Sequence, residues 1–154
     1  MEEKYRTVLL AMDGSDHSDH AYRWYLKYLR QASDYVVFVH CPELTQSQLS
    51  CFISKCKHQL KTMMLEHEQE TRLLLARLHE HLKREKISGK VVRKLGDPKE
   101  QILKVANEEN VDCIVTGSRG RNKTRLGVMG SVSSFLVHHS KVPVLIVKKD
   151  LCNN

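Results

Sequence analysis

Aromatic residues are scarce in this chain: Phe, Trp and Tyr together make up 6% of it. Modules that read single-stranded nucleic acid stack bases on exposed rings, so the shortage argues against a nucleic-acid partner despite a formal net charge of +7. The basic residues agree. They are spread over the stretch holding Arg77, Lys83, Arg84 and Lys86, over Lys90, Arg93 and Lys94, and over a glycine-containing loop, with acids interleaved in the first. No apolar run approaches the roughly 20 residues of a membrane span. The opening residues, MEEKYRTVLLAMDG, carry acids where a secretory signal needs bases. The expected compartment is therefore cytoplasmic, with no membrane partner, and the Asn122-Lys123-Thr124 sequon is expected to stay unmodified.

Paired metal-type cysteine spacing is also missing. The five cysteines, Cys41, Cys51, Cys56, Cys113 and Cys152, are odd in number and scattered, so reduced thiols are expected in place of a disulfide framework. His79 and His81 flank Glu80, but no H-E-x-x-H occurs, and a solvated helix face accounts for them. Neither a Walker loop nor a G-x-G-x-x-G is present. What remains is an ordinary globular composition, 41% hydrophobic and 28% charged over 154 residues, enough for one domain that buries about two-thirds of its unfolded surface.

The chain alternates short β-rich runs with helical patterns. Tyr5 to Ala11, Tyr35 to Cys41, Gly89 to Leu95, Val111 to Thr116 and Val142 to Val147 read as five strands. Asp16 or Ser15 caps a first helix running to about Ser33, with Ala21, Trp24, Tyr25, Tyr28 and Leu29 on one stripe and Trp24 as core. Residues 42–86 are harder to divide; a long helix from about residue 56, preceded by a loop or short helix, fits best, with Met63 and Met64 as gap-filling core. Asp97-Pro98 opens a further helix, with Asp97 as N-cap, Pro98 at N1 and Glu100 completing a capping-box-like pattern. Such alternation implies α/β architecture: three layers, a five-stranded parallel sheet and helices on both faces. With strand order 3-2-1-4-5, strands one and four are neighbours and the gap between them is the topological switch point.

The two best ligand motifs follow those strands. Thr116 to Ser134, TGSRGRNKTRLGVMGSVSS, places Gly117 and Gly120 before a helix that begins after Gly130. Glycine permits positive φ and close approach of the backbone to a ligand, and a helix N-terminus offers unpaired N–H groups to phosphate. Arg119, Arg121, Lys123 and Arg125 add positive charge. Strand one ends at Met12-Asp13-Gly14-Ser15, where Asp13 serves either as an Asx turn before the helix cap or as a ligand group beside the glycine loop.

The spacing G-x2-G-x9-G-S from Gly117 to Ser131, together with Asp13, Gly96-Asp97-Pro98 and the closing P-V-L-I-V, resembles the universal stress protein family in its ATP-binding branch. The resemblance covers about Tyr5 to Lys148 and implies one Rossmann-like domain of the adenine nucleotide alpha hydrolase type. It implies that Asp13 lies beside the ribose and phosphates and helps to hold a divalent ion such as Mg²⁺. Ala11 and Cys41 would border the adenine, and Gly117, Arg119, Gly120, Gly130, Ser131, Val132 and Ser133 would wrap the phosphates and ribose. Cys41 stands where the family commonly has an aliphatic residue, and the 42–86 segment is long. The expected function is a nucleotide-dependent stress-response or signalling module that binds ATP, ADP or AMP; a slow ATPase or adenylyl-transferring enzyme of related fold is the alternative. Efficient catalysis is not expected, since no Walker lysine is present and Asp13 is the one evident general base. An apolar edge strand with Pro143 near its start invites pairing with a second copy, and the family commonly dimerises through that strand.

Overall fold

A computed structural model describes residues 5–44, 46–54, 57–121 and 128–149. The expectations for Cys56, Cys152, Lys123, Arg125 and the sequon fall outside the described residues, as does the side chain of Cys51. Five parallel strands, β1 (Arg6–Ala11), β2 (Asp34–His40), β3 (Ser88–Arg93), β4 (Cys113–Gly117) and β5 (Val144–Val147), form one sheet in the order β3-β2-β1-β4-β5. The helices are α1 (Asp16–Trp24), α2 (Gln46–Ile53), α3 (Lys57–Arg84), α4 (Pro98–Glu108) and α5 (Ser131–His139), with a π-helical turn, Tyr25–Leu29, continuing α1.

Strand alternation sends successive side chains to opposite faces. Val8, Leu10, Val36 and Phe38 pack with Ala21, Tyr22 and Tyr25 of the α1 region and with Leu78 and Leu82 of α3. Leu9, Val37 and Val39 pack with Ile102, Val105 and Ala106 of α4 and Leu136 of α5. The three-layer arrangement follows. Because β1 feeds α1 on one face while β4 feeds α5 on the other, the carboxyl ends of β1 and β4 diverge and leave a crevice.

Several side chains sit differently from the expected pattern. The first helical segment ends at Leu29, Trp24 is only partly buried against the core, and Tyr28 is 62% exposed. Met64 is 57% exposed because the amino-terminal part of α3 packs against α2 and not the sheet; the helix reaches the core only from Leu74 onward. β4 and β5 each start two residues later than their apolar runs. Asp112 precedes β4 but is already tied to β1, its N–H donating to Thr7 O at 2.8 Å and its Oδ2 accepting from Thr7 N at 2.7 Å, and Pro143 has no N–H to donate.

Candidate functional site: the crevice between β1 and β4

Gly14 turns the chain at φ 81°, and Ser15 then caps α1, its Oγ accepting from Ser18 N at 3.2 Å. Asp13 locks this corner. Its Oδ1 accepts from Ser15 N at 2.9 Å and from Ser15 Oγ at 2.6 Å, while Oδ2 accepts from Arg121 N at 3.0 Å. Asp13 therefore forms the Asx turn and at the same time faces the glycine loop.

The loop after β4 is built from close approaches. A Cβ at Gly117 would meet His17 O at 2.8 Å, one at Gly120 would meet Asp13 Oδ2 at 2.8 Å, and one at Gly130 would meet Ser118 O at 3.2 Å. None of the three has positive φ, which among the described glycines occurs at Gly14 and Gly96. Of the two uses expected of these glycines, positive φ is realised at none of the three, and close approach is the reason for each. Gly117 lets α1 approach β4, Gly120 lets the loop touch Asp13, and Gly130 lets the start of α5 fold back. That fold is fastened by Gly130 N donating to Ser118 O at 2.7 Å. The buried Ser133 Oγ reaches Gly130 O at 3.0 Å and Ser118 O at 3.2 Å, so it shapes the loop. Arg119 Nε donates to Val128 O at 3.2 Å, tying the loop's two described ends together.

These elements enclose a cleft of about 190 Å³. All ten residues singled out from the sequence line it: Ala11, Asp13 and Cys41 from the strand ends, Gly117, Arg119 and Gly120 from the loop, and Gly130, Ser131, Val132 and Ser133 from the start of α5. The cleft has two kinds of wall. One end is apolar, with Ala11, Val39, Cys41, Ile102 and Val132. Burial pushes the Cys41 thiol up to about 11, with Glu43 and Asp97 adding to the effect, so Cys41 is a neutral, space-filling group. The other end is polar and holds the loop and the N-terminus of α5, where Gly130 supplies no side-chain cap. The first N–H groups of a helix lack intrahelical acceptors, and here they face the cleft with the positive end of the dipole.

Other lining residues escaped sequence reasoning. Pro98 and Ile102 come from α4; the Gly96-Asp97-Pro98 turn was legible as a helix start, with Asp97 Oδ1 accepting from Lys99 N at 3.0 Å, but not as a cleft wall. Glu43 carries no sequence signal of its own. Arg121 lay in plain view in the loop, yet its pairing with Glu70 at 3.2 Å crosses 51 residues of sequence.

Whether the site suits a divalent ion can be tested on its donors. Mg²⁺ bound with a nucleotide takes one or two protein carboxylates and leaves the remaining positions to phosphate and water. Asp13 Oδ2 has one hydrogen-bond partner, so a lone pair is free, while among the described residues no three His, Cys, Asp or Glu side chains converge. The residues fit a nucleotide-carried ion and not a cage made by protein alone.

Comparison with known proteins identifies the fold and the family. The stress response protein NhaX of Bacillus subtilis is 39% identical over 82 residues, which span 53% of this chain and 49% of that one. The solved structure of MJ0577, from Methanocaldococcus jannaschii, has a TM-score of 0.71 and 26% identity over 97% of this chain and 99% of its own. A universal stress protein family protein from Arabidopsis thaliana, solved with AMP bound, has a TM-score of 0.70 at 19% identity over 95% of this chain and 93% of its own, a likeness of fold. Residues 4–148 match the universal stress protein family over nearly the whole sequence, and the chain belongs to that family.

Proposed function

We propose that the protein binds an adenine nucleotide, ATP, ADP or AMP, in the cleft between β1 and β4 and acts as a nucleotide-dependent stress-response module. The observation that carries this reading is the division of one cleft into an apolar slot and a polar loop. A flat base fits between Ala11, Val39, Cys41 and Ile102, and phosphates fit against the backbone of Gly117, Gly120 and Gly130 and the uncapped start of α5. The AMP-bound Arabidopsis relative supports it. Asp13 would hold Mg²⁺ when the nucleotide carries it, and the ion would neutralise phosphate charge. The chain's own groups bind and orient. Backbone N–H groups and Arg119 favour phosphate equally before and during any bond cleavage, which gives affinity without rate enhancement. Mass spectrometry of small molecules released from the purified, denatured protein should find an adenine nucleotide in amounts approaching one per chain. Protein that carries none and does not bind AMP, ADP or ATP on addition would overturn the reading.

The same reading locates the protein in the cytosol and pairs two copies through β5. Pro143 O and Val147 O accept from Ile114 N and Ser118 N on β4. Alternate residues of a strand point their backbone groups to opposite sides, so those of Val144 and Ile146 face the open edge. The side chain of Val147 is 5% exposed and belongs to the core, so a charge there would unfold the sheet before it tested pairing. Ile146→Pro removes one outward N–H and leaves the β4 ladder intact. It should convert a dimer to a monomer in sedimentation equilibrium, and parent protein that sediments as a monomer at tens of micromolar would exclude the pairing.

A further inference from the structure

On the far side of Asp13 from the glycine loop lies a second cleft of about 270 Å³, walled by the carboxyl ends of β1 and β2 and by one face of α3. The nucleotide reading leaves it unused. Two polar side chains of buried residues open onto it, each with an atom that bonds no described residue. His40 is 3% exposed, and its Nδ1 lies 2.7 Å from the Met12 carbonyl. A carbonyl only accepts, so Nδ1 carries the proton and Nε2 is left as a bare acceptor, without a partner among the described residues. Burial holds the His40 pKa below the ordinary histidine value, against the opposing effect of the Met12 carbonyl, so the ring is neutral at neutral pH. Thr71 is also 3% exposed, and its hydroxyl has no hydrogen bond among the described residues. Neither atom is sealed from solvent, so water meets both until a ligand takes its place.

The two arginines of the wall are already paired. Arg121 pairs with Glu70 at 3.2 Å and Arg77 with Asp19 at 3.1 Å. An anionic ligand would have to draw one arginine from its pair, whereas a neutral one leaves both pairs in place. Leu73 and Leu74 supply an apolar side. A neutral group that donates to Nε2, exchanges a hydrogen bond with a hydroxyl and lays C–H surface on leucine is a sugar ring. Asp13 and Arg121 line both clefts, so the second opens beside the phosphate end of the first. Each cleft, at about 190 and 270 Å³, is smaller than the roughly 300 Å³ at which small-molecule pockets begin, and the two adjoin as one ligand of two parts would require.

We infer that the second cleft is a sugar subsite, taking the polyhydroxyl group of a nucleoside diphosphate sugar whose adenylate half lies in the first cleft. His40 Nε2 accepts from one sugar hydroxyl and Thr71 Oγ1 bonds a neighbouring one. The inference rests on the nucleotide reading and goes beyond it by naming what the terminal phosphate carries. The test is calorimetric titration of the full chain with ADP and with ADP-ribose, in the parent, in His40→Asn and in Thr71→Val. Asn can still donate to the Met12 carbonyl while lacking Nε2, and Val preserves the shape of Thr71, so that variant keeps the test sound even where His40→Asn perturbs folding. ADP-ribose should bind the parent about tenfold more tightly than ADP, and each variant should lose roughly fivefold or more for ADP-ribose with little change for ADP. Equal affinities in the parent would overturn the subsite, and a preference that neither variant weakens would overturn its location. Failure of ADP itself to bind would overturn the nucleotide reading and this inference with it.

Discussion

Two carboxylates at opposite edges of the same sheet serve opposite purposes. Asp34, at the amino end of β2, is 5% exposed and saturated by the chain itself. Arg6 donates from Nε at 2.8 Å and from its terminal nitrogen at 2.7 Å, Tyr25 OH donates at 2.7 Å, and Gln31 N at 2.9 Å. Burial alone would raise its pKa, but the bonds from Arg6, Gln31 and Tyr25 outweigh it and hold the carboxyl below its ordinary value. Asp13, at the carboxyl end of β1, is bonded among the described residues by its own turn and by the glycine loop, and it faces two clefts. A carboxylate whose acceptor sites are filled by the protein stabilises the fold. One left partly open, where strands diverge, is available to a ligand.

The largest effect should come from breaking the saturated site. Asp34→Asn leaves Arg6 without its charge partner and should cost about 3 kcal/mol in urea unfolding, somewhat less than a fully buried pair because the Arg6 side chain is 24% exposed. Nucleotide affinity of the folded fraction should not change, and a parallel loss of affinity would blur the distinction between the two edges. Asp13→Asn should behave in reverse. Stability should fall by about 1 kcal/mol, the worth of one hydrogen bond, while the Mg²⁺ dependence of ATP affinity is blunted, because the carboxylate near a triphosphate is repulsive unless a cation stands between them. An unaltered Mg²⁺ response would remove Asp13 from any role with metal.

The smallest effect concerns acid. Burial lowers the pKa of His17, His40 and His81 below the ordinary 6.5; around His40, Asp13 opposes the shift and Arg121 and Arg93 add to it. The unfolded chain therefore binds protons more readily, and stability is full above pH 6.5 and declines as pH falls below it. Asp34, whose carboxyl is also held below its ordinary value, acts in the same direction, but only as pH falls below 3.8, outside that window. The urea midpoint should be lower at pH 5.5 than at pH 7.5, and His40→Asn should flatten part of the difference. Equal midpoints in the parent would contradict the assignment of neutral, buried rings.

The sheet was legible because its apolar runs are β-rich and separated by helical patterns, and because Asp13 and the glycine spacing fall after the two strands that diverge. Strand ends were less so. Val111 reads as strand, yet its N–H returns to Ala106 O at 3.1 Å to close the end of α4 around Asn110, at φ 47°, a local helix-ending motif that the apolar run outweighed in the reading. The exposure of Met64 and Leu65 could not be read either, since a helical apolar stripe shows that a face is buried only where another element reaches it. His40 ends an apolar strand without any motif around it, and Glu70 and Thr71 join the site from a helix whose placement depends on the packing of Leu74, Leu78 and Leu82. The residues missed enter from α3, from α4 and from the end of β2 and the segment after it, while those on the loops after β1 and β4 were found.

The central claim is that an adenine nucleotide lies between Asp13 and the glycine loop. Calorimetry with ADP on the parent and on Gly120→Val tests it most directly, because a side chain at that position would meet Asp13 Oδ2 at 2.8 Å and must displace the loop or the carboxylate. Binding to the parent with its loss, by at least about a hundredfold, in a variant that remains folded by circular dichroism is the result predicted. Undiminished affinity in the folded variant would contradict the account.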